Sequence, residues 1–408
     1  MYKVIAGDTF DSVSRKTYGT EIYSSRIASA NPGVVEPLPV GVTIVTPIIP
    51  EDPKNLPQAP QSDNIDEVAI SIEGVRFRFW DRLRIVRSID SMDTVEMSAP
   101  FDHEAPGFRE TFVPFSFKPM SITVGGEPLF TGTMVAVDPV IEKDKKVVAV
   151  SGYASPGALN DCTPPASSFP LEFDNLGLRD IAATMLGPFG LGAVFESDQG
   201  SVFERVACEP GNKVLAFLID LAKQRNLVMS SSPKGELVFL RAIEGGVPVA
   251  KLRQGESPLL SVTPRFNPQE YYSHITGLEP VILGLKGSQF TVRNPRLQGV
   301  IRPFTFKAPD TLDADVKATV EAKAGRMFGG MASYSVTVAT WRDPSGNLWT
   351  PNTVVNLLAP DAMVYEEYSF IVRSVEFNRD SVSETALLDL VVPGSFSGKI
   401  PEVLPWDA

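Results

Sequence analysis

Pro50, Pro53, Pro57 and Pro60 punctuate residues 48–61 and divide this chain. Prolines this dense remove amide donors and hold the backbone extended, so neither a helix nor a sheet ladder runs through them. The segment before them has to fold by itself, tethered to the rest of the chain.

That segment has the pattern of a small strand–helix–helix–strand unit. Tyr2, Val4 and Ile5 form a β-favouring run, and Gly7 turns the chain. Asp8 or Thr9 caps the next helix, where a side-chain oxygen accepts from an orphan amide. Phe10, Val13 and Thr17 recur at helical spacing, and Gly19 ends that helix. Ile22, Ile27 and Ala30 give a second apolar stripe, stopped by Asn31, Pro32 and Gly33. Val42, Ile44 and Val45 supply a closing strand. A unit this small buries little core. The pattern begins at Tyr2, so no signal peptide is expected ahead of it.

From Tyr2 to Pro47 this pattern resembles a LysM domain. The resemblance implies a carbohydrate groove between the loop after the first strand and the loop before the last. Its positions here are Gly7, Asp8, Thr9 and Phe10, facing Asn31, Pro32 and Gly33. The plainer reading stands beside it: the same residues build turns, caps and helix stops with no sugar involved.

The whole chain has 408 residues, enough for several domains, and its 43% hydrophobic and 21% charged content is that of a folded protein. Cys162 and Cys208 make no disulfide framework and have no metal-ligand spacing around them. No apolar run approaches the roughly twenty residues that span a bilayer. A net charge of −12 argues against sequence-independent nucleic-acid binding, which needs an excess of Lys and Arg.

After the linker the chain is mainly β. Residues 68–72 read as a strand with a turn at Glu73-Gly74, then Val75, Phe77 and Phe79 in half-buried alternation. Residues 82–88, 94–98, 115–124, 130–137 and 146–153 continue the series, with Gly125-Gly126 as a hairpin turn. Short strands this close suggest a sandwich or barrel. Residues 178–185 and 214–225 have helical spacing, and 227–231 with 236–241 form a hairpin across Pro233-Lys234-Gly235. Strands return at 271–277, a helix spans 312–328, and strands at 334–339, 368–377 and 385–392 close the pattern.

Several of these elements resemble the baseplate hub family of contractile phage tails, of the phage Mu type. They are the 210–225 helix with its 227–241 hairpin, the run Tyr272-Ser273-His274-Ile275-Thr276-Gly277, the segment from Trp341 to Asn352, and the terminal Leu387-Leu388-Asp389-Leu390-Val391-Val392-Pro393. The domain reading is a LysM-like unit over 1–50, a linker over 51–63, a first β hub domain over 64–155, an α/β middle over 156–250, a C-terminal β hub domain over 251–400 and a tail over 401–408. The resemblance implies two barrel-like domains per subunit and a homotrimeric ring. That ring would adapt a sixfold tail tube to a threefold spike. It also implies tube, spike and neighbouring baseplate proteins as partners, with synthesis in the host cytoplasm and residence in the virion.

No chemistry stands out. His103 sits in a turn-rich loop with Asp102 and Glu104, whose adjacent side chains point different ways. Ser273-His274 lacks an orienting acid. Glu366 and Glu367 are strand neighbours facing opposite ways, unlike a glycosidase pair. The glycines of 187–192 come after no strand and read as a turn. No cofactor, metal or catalytic residue is assigned. The expectation is a structural hub protein. The alternative is a cell-wall hydrolase that a LysM module delivers to peptidoglycan, and it needs a catalytic constellation that residues 64–408 do not offer.

Overall fold

The computed structural model describes residues 2–18, 24–31, 33–46, 65–105, 107–143, 146–278, 289–297, 299–307, 316–396 and 403–407. The linker prolines, Gly19, Ile22, Pro32 and the expected helix start at Leu312 lie outside them. The contacts divide the chain into two units, Met1–Arg76 with Thr123–Glu127, and Phe77–Ile122 with Pro128–Ala408.

The smaller unit begins with the expected order. A strand at Tyr2–Lys3, helices at Phe10–Tyr18 and Ser24–Ser29, and a strand at Thr43–Ile44 occur in turn, the two strands pairing antiparallel. Val4, Val13, Ile27, Leu38 and Ile44 form the core, with Tyr2, Phe10 and Val34 packed against it. Beyond the linker, Val68–Ile72 turns through Glu73 (φ 54) and Gly74 (φ 79). The next strand stops at Phe77, and Val75 is 71% exposed. The half-buried alternation expected through Phe79 is therefore absent. Gly125 (φ 57) opens the Gly125-Gly126 turn, where a Cβ would stand 2.3 Å from the Ile65 carbonyl oxygen, so glycine is required there.

The larger unit is organised by one long sheet. Along it run the strands Leu259–Phe266, Ala332–Val338, Glu384–Val391, Val364–Asp380, Arg82–Ser88, Thr94–Pro100, Lys146–Ala154 and Glu127–Ile141. Ala250–Arg253 pairs parallel with Val354–Ala359, which pairs with Val364–Asp380. The two β blocks are thus joined through one ladder, from Ser374 opposite Ser88 to Asp380 opposite Arg82. The strand expected from Phe115 starts only at Pro119, because Phe115 (φ 60) and Phe117 (φ 49) take left-handed backbone that a ladder cannot continue.

The middle carries the expected α/β character. Helices Leu178–Leu186 and Val214–Gln224 bury Ile181, Met185, Leu218 and Leu221 in one core. Asn226 (φ 53) stops the second helix in the left-handed conformation that Asn tolerates. No side chain caps its start. The hairpin Val228–Ser231 with Leu237–Leu240 gains a third strand, Ala193–Phe195, parallel to Leu237–Leu240. Glu172–Leu176 pairs with Phe203–Ala207. These last three short strands lack a periodic apolar signal, and only tertiary pairing defines them.

His274–Leu278 pairs antiparallel with Gln289–Arg293 and parallel with Pro303–Lys307. The Val316–Met331 helix covers this small sheet, packing Val320, Ala324 and Met327 against Ile275. The helix runs past the expected end at Phe328 through two glycines. At Gly329 a Cβ would meet Ser395 Cβ at 2.5 Å, so the glycine permits close approach.

Candidate functional site

In the N-terminal module, the structure gives the candidate groove residues folding roles. Asp8 is 3% exposed. Its Oδ2 accepts the Ile5 amide at 2.9 Å, and its Oδ1 accepts from Ser12 Oγ at 3.2 Å and from Lys16 Nζ. The Lys16 ammonium and the Ile5 amide hold the carboxyl down at about 2. Thr9 Oγ1 accepts the Ser12 amide at 3.2 Å while Ser12 Oγ accepts the Thr9 amide at 2.9 Å, a reciprocal cap on the Phe10–Tyr18 helix. Thr9 therefore caps, and Asp8 closes the preceding turn.

Asn31 is 9% exposed and clamps the far side. Its Nδ2 donates to the Ile27 and Val45 carbonyls, each at 2.7 Å, and its Oδ1 accepts the Val45 amide at 2.7 Å. The second helix is thereby tied to the closing strand. Gly7 (φ 84) and Gly33 (φ 94) turn the chain in open space. Phe10 packs against the core, and its amide meets Glu36 Oε1. The polar atoms of Asp8 and Asn31 are thus engaged within the module; Pro32 lies outside the described residues.

In the larger unit, Ser273 Oγ accepts the Arg302 amide at 2.8 Å and stands 2.9 Å from His274 Nδ1. Ser273 is 1% exposed, so this hydroxyl organises the strand ends and is closed to a substrate. His103 is exposed beside Glu104. Glu367 is ion-paired with Lys251 at 2.9 Å and hydrogen-bonded by Asn356 Nδ2 at 2.7 Å; these partners lower its pKa. Trp341 and Trp349 are buried, their indole N–H groups donating to the Thr385 and Thr340 carbonyls at 2.9 Å. Asp343 Oδ1 between them accepts the Ser345 and Asn347 amides at 2.8 and 3.0 Å. That segment is a packed turn. No group of three or more His, Cys, Asp or Glu side chains able to hold a metal occurs among the described residues.

One buried polar centre has no counterpart among the sequence motifs. Asp93 is 1% exposed, 3.3 Å from Arg87 Nε, and its amide donates to Ser231 Oγ at 2.9 Å. Ser230 Oγ donates to the Ser88 carbonyl. Burial pushes the Asp93 carboxyl up to about 7, against the pull of Arg87. It joins the first β block to the middle hairpin, and no local signal marks a contact across 138 positions.

Known proteins share these segments. Residues 156–241 match the family described as baseplate hub protein gp44-like, second domain. Residues 2–54 match the family described as Phage Tail Protein X. The baseplate hub protein gp44 of Escherichia phage Mu is 23% identical over 316 residues, covering 71% of this chain and 78% of that protein. The 43 kDa tail protein of prophage MuSo2 from Shewanella oneidensis has a TM-score of 0.70 at 23% identity, over 81% of this chain and 99% of that one. A tail protein from Neisseria meningitidis MC58 has a TM-score of 0.69 at 19% identity, over 81% and 98%. The class these findings support is that of phage tail and baseplate structural proteins. Within it, the match over 156–241 and the phage Mu relative make this chain similar to gp44-like baseplate hub proteins.

Proposed function

We propose that this chain is the baseplate hub subunit of a contractile phage tail, assembling as a homotrimeric ring between a sixfold tube and a threefold spike. The observation that carries the reading is one chain holding both a gp44-like hub domain and a Tail Protein X module, on the fold of phage tail proteins. The ladder joining the two β blocks supports it, because a continuous sheet suits the wall of a ring. In this reading the two blocks are the barrel-like domains, with the α/β middle over 156–250 beside them. The role is structural: Ser273 and Glu367, first considered for chemistry, bond within the fold.

The N-terminal module, LysM-like in its order of elements, is the tethered docking unit of this reading. It contacts neighbouring baseplate proteins at the ring's periphery. The internal engagement of Asp8 and Asn31 supports docking over sugar recognition through the groove. A linker gives such a module effective concentration at any nearby partner site. The protein is made in the host cytoplasm and resides in the virion.

A low-resolution electron-microscopy map of the particle tests the ring. Threefold density for residues 64–400 around a channel is expected, and a monomer or a ring of another order overturns the reading. Deleting residues 1–50 tests the module. Impaired baseplate assembly is expected. Normal assembly with lost adsorption to cell-wall fragments would instead make the module a sugar binder.

A further inference from the structure

The Leu259–Phe266 strand ends the long sheet of the larger unit, with Ala332–Val338 as its paired neighbour among the described residues. Its sequence, Leu-Leu-Ser-Val-Thr-Pro-Arg-Phe, carries one charge. Leu260 is 59% and Phe266 45% exposed. An open edge of this kind templates strand addition by another chain, and proteins blunt such edges with bulges, prolines, charges or covering segments. Three of these devices are present. The register shifts between Leu259 and Ser261, bending the first part of the strand. Pro264 removes a donor from the middle, as a proline at an open edge does. At the Phe266 end Arg265 supplies the one charge.

Residues 403–407 pack against that end and leave Phe266 partly exposed. The Trp406 ring meets the Phe266 ring edge-on, with centroids 5.3 Å apart. Leu404 is 1% exposed in a cluster with Phe328, Met331 and Ala332. Tyr368 Oη donates to the Val403 carbonyl at 2.9 Å. Asp407 accepts from both terminal nitrogens of Arg296, Nη1 at 2.9 Å, and from the Leu404 amide at 2.7 Å. A bidentate pair of this geometry fixes orientation as well as position.

We propose that residues 403–407 are an edge guard, latched by Arg296–Asp407 and Leu404. With Trp406 over Phe266, they keep a second copy of this chain from adding a strand to the Leu259–Phe266 edge. The guard acts on the free chain and stands independently of the ring reading, because each variant is compared with the parent chain whatever closed oligomer the parent forms.

Sedimentation velocity over a concentration series tests this on the full chain and on Trp406→Ala, which keeps the latch. The variant is expected to form larger species than its parent at concentrations at least about tenfold lower, a shift of roughly 1.4 kcal/mol. Adding Leu260→Lys, a charge on the exposed edge, is expected to restore parental behaviour. Deletion of 403–408 should behave as Trp406→Ala does, and if it fails to fold the point variant decides. A folded Trp406→Ala chain that associates like its parent overturns the proposal. So does excess association that Leu260→Lys leaves unchanged, because the edge would then not be the surface involved.

Discussion

Asp93 shows how one residue couples pH to stability. Its folded value of about 7 lies above the ordinary 3.8, so the folded state holds the proton more tightly than the unfolded chain does. The stabilising contribution is fully present below about 3.8 and is lost as pH rises through 7. Thermal melts between pH 5 and 8 should show stability falling with pH from this site, and Asp93→Asn should flatten that slope. An identical slope in the variant would assign the dependence elsewhere. Tyr334 makes a second case. It is buried, its hydroxyl is the one buried side-chain polar atom without a hydrogen-bond partner among the described residues, and burial raises its pKa strongly. Tyr334→Phe removes a desolvated group with no bond to lose. Denaturant unfolding should find it neutral or more stable by up to about 1 kcal/mol. Tyr334→Ala should cost about 3–5 kcal/mol by analogy with large aromatic truncations.

At the scale of elements, a few side chains hold short segments that propensity alone would not. Asn31 links the Ser24–Ser29 helix to the closing strand through three hydrogen bonds. Asn31→Ala leaves the Val45 amide and two carbonyls needing new partners, at about 1–3 kcal/mol for each group left buried. Hydrogen exchange on the full chain should show faster exchange across residues 2–46 with the rest unchanged. The Val214–Gln224 helix depends instead on its apolar face. Leu218 is fully buried, and Leu218→Ala should cost about 2–5 kcal/mol in a denaturant titration that tracks the larger unit. The ion pairs of Arg84 with Glu376 at 2.7 Å and Glu96 at 3.2 Å cross neighbouring strands, and Arg84 is 36% exposed. Solvent screening limits their worth, and Arg84→Ala should cost no more than about 1 kcal/mol.

For the whole molecule, the proposed channel sets an electrostatic expectation. A genome passing through a hub must not be retained, and counterion release at Lys and Arg would retain it. The chain carries 49 acidic against 37 basic residues. A map of the assembled particle should show more carboxylates than cations on the inward strand faces; a continuous basic lining would refute this. The proposed structural role carries its own expectation. Purified protein should not clear peptidoglycan suspensions, and clearing abolished by a single Asp, Glu or His substitution would establish an enzyme.

Much of the architecture was legible because its signals are local. Alternation marked the strands at 82–88, 94–98 and 146–153, apolar spacing marked the helices at 178–185 and 214–225, and Gly125-Gly126 marked a turn through a backbone conformation few residues adopt. Segment order carried the hub resemblance, and the match over 156–241 agrees with it. Other features depend on partners far along the chain. The Ala193–Phe195 strand exists through Leu237–Leu240, the joined β blocks through pairing between 82–88 and 364–380, and the Asp93 centre through Ser231. The candidate groove residues were marked by sequence, and the folding roles of Asp8 and Asn31 became visible only in the tertiary structure. Both side chains are buried, and their polar atoms bond to Lys16 and Val45, partners that no local pattern marks.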